Sequence, residues 1–204
     1  MIEFRVLRQK LPFSTTLHTP ESRLTSAEIW LRLSPESNDQ ENILSRWLRQ
    51  SIKDFCNESE HNALRDAGNE KAWEEPITGF SRGDDSLYDT LKKDIGAFYW
   101  TPLEIYIKTF PKEKEVTSDK LTIISWILPH TEQIKQDQRK QTKYPSERWV
   151  RARIFGEQFN DKLRCFVVDI LSNRGYHALA PVLSPLWATR PSKLTTKFCR
   201  KSII

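Results

Sequence analysis

From Ser146 to Asn173, apolar side chains fall at Trp149, Ala152, Phe155, Phe159, Leu163, Phe166 and Ile170. Steps of three and four residues are the helical repeat, so the run predicts one amphipathic helix over 146–173, roughly 42 Å long. Ser146 is placed to cap it, with Glu147 in the first turn where the helix dipole favours an acid. Arg151, Glu157, Asp161, Lys162 and Arg164 make up the opposite, polar face. Gly156, inside the run, costs about 1 kcal/mol relative to Ala and marks a close packing contact. Asn173-Arg174-Gly175 is a helix ending, with Gly175 supplying the left-handed residue. Cys165, beside the stripe, reads as a small core or boundary residue.

The elements on either side of this helix set the fold class. Residues 121–128, LTIISWIL, are β-branched, aromatic and almost continuously apolar up to Pro129, which predicts a central strand covered on both faces. Residues 177–183, HALAPVL, predict a second strand, with Pro181 at an edge or bulge. Strand, helix, strand is a βαβ unit, and the class is α/β or α+β. If the two strands pair, they run parallel. His130 follows the first strand and Ser184 the second. Ligands collect at strand C-termini in open α/β sheets, so His130 and Ser184 are the candidate binding residues. An exposed loop histidine accounts for His130 equally well.

The remaining segments predict helices packed around that unit. Ile43, Leu44, Trp47, Leu48, Ile52 and Phe55 line one face of a helix over 40–56. Asp84 or Asp85 caps a helix over Ser86–Ile95, stopped by Gly96. Thr101-Pro102-Leu103-Glu104 has the capping-box pattern with proline at the first helical position. In the loop PITGFSRGDD, Gly79 and Gly83 beside Arg82 only weakly suggest a phosphate cradle, since neither GxGxxG nor a P-loop lysine is present. Residues 131–143, TEQIKQDQRKQTK, read as a solvated loop or frayed helix. Residues 1–40, rich in Ser and Thr and broken by prolines, read as a loosely ordered extension. The domain proper spans 41–187, and 188–204 reads as an irregular basic tail.

Composition narrows the partners. A net charge of +5 and a pI near 9.1 are modestly basic. They suit a mixed solvated surface, and admit a nucleic-acid partner without establishing one. Cys56, Cys165 and Cys199 are odd in number and lack CxxC spacing, so local motifs build neither a zinc site nor a disulfide framework. Cys56 and His61, alone in a polar stretch, read as structural rather than as ligands. A reducing cytoplasm is the default compartment. The N-terminus lacks a signal-peptide core, and no apolar run approaches the roughly 20 residues of a membrane span.

Five blocks resemble one known family: AWEEPITGFSRGDDSLY, FYWTPLEIY, LTIISWILPHTE, YPSERWVRARIFGEQFNDKLR and GYHALAPVLSPLW. In this order they resemble the N-terminal part of the epoxyqueuosine reductase-like iron–sulfur proteins. The resemblance implies a reductase scaffold whose substrate class is a modified tRNA base. In full-length members it implies two [4Fe–4S] clusters on a ferredoxin-like C-terminal domain and, in those related to epoxyqueuosine reductase itself, a corrinoid. After Trp187 the tail ATRPSKLTTKFCRKSII has five basic residues and no acid, unlike the family's continuation, so the chain reads as truncated there. Three cysteines cannot ligate two clusters, and no catalytic residue of the family carries over.

The expectation is therefore a partial scaffold of a reductase-like protein, inactive alone, with tRNA and a separate iron–sulfur domain as the implied partners and no membrane. Two alternatives stand beside it. One is a small basic RNA-binding or protein-interaction module using the tail and residues 131–143. The other is a corrinoid-binding subunit acting with a separate iron–sulfur protein.

Overall fold

The computed structural model describes residues 6–9, 43–66, 68–113, 115–191 and 200–203. In chain order the elements are β1 (Val6–Gln9), α1 (Ile43–Glu58), β2 (Ile77–Arg82), α2 (Ser86–Ile95), α3 (Pro102–Thr109), β3 (Thr122–Ile127), α4 (Glu132–Arg139), α5 (Glu147–Ser172), β4 (Tyr176–Leu179), β5 (Ala188–Pro191) and β6 (Arg200–Ile203). The chain is mixed helix and strand, as its patterning requires. Local signals place the helix starts: the side chains of Asp85, Thr101 and Ser146 accept from Leu87, Glu104 and Trp149 N–H, and Thr101 with Glu104 completes the capping box.

The main sheet has the order β2-β3-β1-β4. Every neighbouring pair is antiparallel. Because β1 is antiparallel to both β3 and β4, those two strands run parallel to each other with β1 between them. The crossover through α4 and α5 is therefore the expected βαβ connection, but it skips one strand, and its two strands never pair. Val6 is level with both Ile123 and Leu179, so β3 continues four residues, about 13 Å, past the level where β4 stops.

Alternation along the strands separates two cores. Ile124, Trp126 and Tyr176 face one side, where Leu48, Ile52 and Cys56 of α1, Ile134 of α4 and Ala152, Phe159, Leu163, Val167 and Leu171 of α5 pack. Ile123 and Leu179 face the other, where Tyr88 of α2, Ile105 and Tyr106 of α3, Val116 and Leu121 gather. The second core covers only part of its face. Toward the end of β3 the cross-strand pair Ile77 and Ile127 is exposed.

Several sequence expectations are corrected. The strand 177–183 is shorter: β4 ends at Leu179, and Pro181–Leu183 form a 3-10 turn that proline opens. Residues 131–143 contain α4, capped by Thr131 and anchored by the fully buried Ile134. Arg164, assigned to the polar face of α5, is buried, its Nη1 paired with Glu157 at 2.9 Å and with Asp161 one turn back. Within 1–40, read as a loose extension, Val6–Gln9 form a strand inside the sheet, and the other residues lie outside those described. Within the tail read as irregular, β5 and β6 pair as a two-stranded antiparallel sheet.

Candidate functional site

Three segments meet just past the C-terminal end of β3. The ladder between β2 and β3 ends at the pair Ile77–Ile127, and an isolated antiparallel bridge then joins Trp73 to His130. Three residues (74–76) separate the two pairs on one strand and two (128–129) on the other, so the first strand carries one extra residue, as in a bulge. The bulge turns Trp73 into the core and lays the His130 ring against it, with centroids 4.5 Å apart and planes 18° from parallel. The Glu74 N–H donates to the Pro129 carbonyl at 2.9 Å.

Trp73 is fixed from two further directions. Asn62, almost fully buried, accepts from the Trp73 N–H at 3.0 Å and donates to its carbonyl at 3.0 Å and to the Cys56 carbonyl at 2.9 Å. Its amide thus pairs with Trp73 as a neighbouring strand would. The indole Nε1–H donates to the carbonyl of Gly156 at 3.2 Å. A Cβ on residue 156 would lie 2.6 Å from the indole, so the helix can approach the ring only with glycine there. The packing contact expected at Gly156 is this one.

The Nδ1 atom of the His130 ring is buried with no hydrogen-bond partner. Burial pushes its pKa below the ordinary histidine value, and the cations Arg153 and Lys135 push the same way. Both effects favour the neutral imidazole. Chemically it can accept a proton or a hydrogen bond.

Ser184, the other candidate, is used locally. Its hydroxyl accepts from the Leu186 N–H at 3.2 Å, and its carbonyl from the Trp187 N–H at 3.0 Å, closing the turn after Pro181–Leu183. Among the described residues His130 and Ser184 share no hydrogen bond. The stagger between β3 and β4 explains this, since the two strand ends lie at different levels.

Sequence reasoning missed a second histidine cluster. His177 of β4 lies on the sheet face carrying the smaller core, with Nδ1 3.1 Å from the Tyr106 hydroxyl and 3.9 Å from a Glu113 carboxylate oxygen. Phe110 stacks on its ring at 4.8 Å. No sequence spacing links residues 106, 110, 113 and 177; only the placement of α3 against β4 does. The Gly79–Gly83 loop is not a cradle: the Gly83 N–H donates to the Leu121 carbonyl at 2.8 Å, and Leu121 and Ser118 fill the space beside its Cα. A cleft of about 370 Å³ at the start of α5 is lined by Asp66, Asp137, Lys140, Glu147, Arg148 and Arg151. Its charges satisfy one another. Arg148 clamps Glu70 through two nitrogens at 2.8 Å and also meets Asp137, while Arg151 pairs with Glu147 at 2.8 Å.

Of the cysteines, Cys56 is buried on α1, and its thiol is pushed up to about 12 by burial. Cys165 is exposed on α5. Among the described residues no group of three or more His, Cys, Asp or Glu side chains is arranged to hold a metal ion, and no helix is long and apolar enough to cross a membrane. No protein-family model, no curated protein and no solved structure matches the chain.

Proposed function

We propose that the chain is the cofactor-side scaffold of an epoxyqueuosine reductase-like oxidoreductase, serving redox centres held outside its own residues, with a modified tRNA base as the substrate class. The observation that carries this reading is where the five resembling blocks fall. They coincide with the packed unit: the Trp73 joint with β2 and the start of α2, then α3, β3 with His130, α5 through Arg164, and β4. Three of them, through Trp73, His130 and Gly156, meet in a single contact. A resemblance that follows core elements supports a shared scaffold more than one scattered over loops would.

The cysteines limit the chain to that scaffold role. A [4Fe–4S] cluster takes four thiolates. The chain has three cysteines in all, and burial keeps the Cys56 thiol protonated. The residues present do not fit a cluster, and no electron-transfer step is assigned to them.

Two measurements on the purified full chain test the reading. With a chemical reductant and epoxyqueuosine-containing tRNA, the chain alone is expected to give no queuosine; turnover would refute the scaffold role. Titration of cobalamin with excess protein is expected to change the corrinoid spectrum. An unchanged spectrum, together with no tRNA binding at low salt, would remove the reductase reading.

A further inference from the structure

We propose that the free edge of β2 docks an extended partner segment of alternating acidic and apolar residues, which adds to the sheet as a further strand. This stands independently of the reductase reading. β2 ends the strand order, and only its inner side is bonded to β3.

The register shows which backbone groups the edge presents. In an antiparallel ladder alternate residues turn their N–H and carbonyl together toward the neighbouring strand, and those between turn both away. The Gly83 N–H donates to the Leu121 carbonyl at 2.8 Å, so Ser81, Gly79 and Ile77 also face β3. Thr78 and Phe80 therefore face outward. Arg49 agrees with that direction, since its Nη1 donates to the Thr78 carbonyl at 2.7 Å. Among the described residues no hydrogen bond is made to the Phe80 N–H or carbonyl. Phe80 thus offers the donor and acceptor that one residue of an added strand takes.

The two faces beside the edge set the partner's chemistry. On one face Phe80 packs against the larger core, with the Arg49 guanidinium 5.5 Å from its ring centre. Arg46 and Arg49, one turn apart on α1, are exposed. The nearby cations Lys53 and Arg82 already meet Glu75 at 2.9 Å and Asp84 at 2.7 Å. On the opposite face Ile77 is 61% exposed beside Ile127 of β3. An added strand sends alternate side chains to these two faces. Acidic ones reach toward Arg46 and Arg49, and apolar ones cover Ile77. A second copy of the chain fits less well. Antiparallel pairing of β2 with itself would keep both α1 helices on the same side of the sheet and bring their arginines together, and ITGFSR carries no acid to meet them.

Amide NMR of the full chain, titrated with a synthetic peptide of alternating glutamate and valine, tests the site. The Gly79, Phe80 and Ser81 amides are expected to shift, and the Phe80 N–H to gain protection from exchange as it acquires an acceptor. Two control peptides are each expected to bind about tenfold more weakly. One is the same peptide N-methylated at every amide, which cannot donate to the edge, and the other alternates lysine and valine. Arg46→Glu reverses an exposed charge and is expected to weaken the glutamate–valine peptide about two- to fivefold. An unmoved Phe80 amide, equal binding of either control peptide, or full affinity in Arg46→Glu would overturn the proposal. A Phe80 shift that grows with protein concentration in the absence of peptide would give the edge to a second copy and overturn it too.

Discussion

Gly156→Ala isolates the joint between α5 and Trp73. In an exposed helix interior this change stabilises by about 1 kcal/mol, because alanine is the better helix former. Here the new methyl would sit 2.6 Å from Cζ2 and Nε1 of Trp73 and 2.7 Å from Cε2. The indole cannot swing clear cheaply, since His130 is stacked on it and Asn62 holds its backbone. Forcing a methyl into such a contact costs about 1–3 kcal/mol. Losing the hydrogen bond from Nε1 to the Gly156 carbonyl leaves a buried donor unmet, at a further cost of about 1–3 kcal/mol. After the helix gain is subtracted, a net loss of about 1–5 kcal/mol is expected. Urea titration followed by tryptophan fluorescence reads it as a lower midpoint at unchanged slope. In a Trp73→Leu background the obstructing ring is gone, and Gly156→Ala is expected to be neutral or stabilising. A stability gain from Gly156→Ala in the wild-type background would refute the packing argument.

Two further outcomes follow from the same geometry. A thiol reagent at neutral pH is expected to label Cys165 quickly and Cys56 only after denaturation, because burial holds the Cys56 thiol protonated up to about 12; prompt labelling of Cys56 in folded protein would contradict its placement on α1. Hydrogen bonds from Arg148 hold the Glu70 and Asp137 carboxyls below their ordinary values, so their contribution is complete above about pH 5 and is lost as pH falls through the carboxylate range. Replacing Arg148 by Gln is expected to flatten the acid limb of a stability–pH profile below that point, and an unchanged profile would show that the clamp adds nothing.

Legibility followed the range of the interactions. The helices α1, α2, α3 and α5 were readable because their signals are local: an apolar repeat, a capping side chain and a terminating glycine, all within a few residues. Residue 175 has φ +83, as a left-handed helix ending requires, and that too is a local property. The helix α4 was left open between a solvated loop and a frayed helix because one buried residue, Ile134, is its whole apolar face, and a single position has no period. The burial of Arg164 escaped because it depends on two carboxylates of its own helix closing over the guanidinium. The strand β1 escaped because its four residues acquire meaning only from partners more than a hundred residues away.

The site divided along the same line. His130 was legible as a strand-end histidine, and Gly156 as a close contact awaiting a partner. Neither pointed to Trp73, and nothing local paired Asn62 with a tryptophan backbone eleven residues on. By itself the sequence determined the helices, the central strand and the mixed α/β character, since backbone propensity, capping and periodicity act within one or two turns. Only the tertiary structure decided that β1 would separate the two strands of the crossover and that His130 would stack on Trp73 with Nδ1 buried and without a partner. Those outcomes depend on which distant surfaces exclude water together, and no local stretch of the chain encodes that.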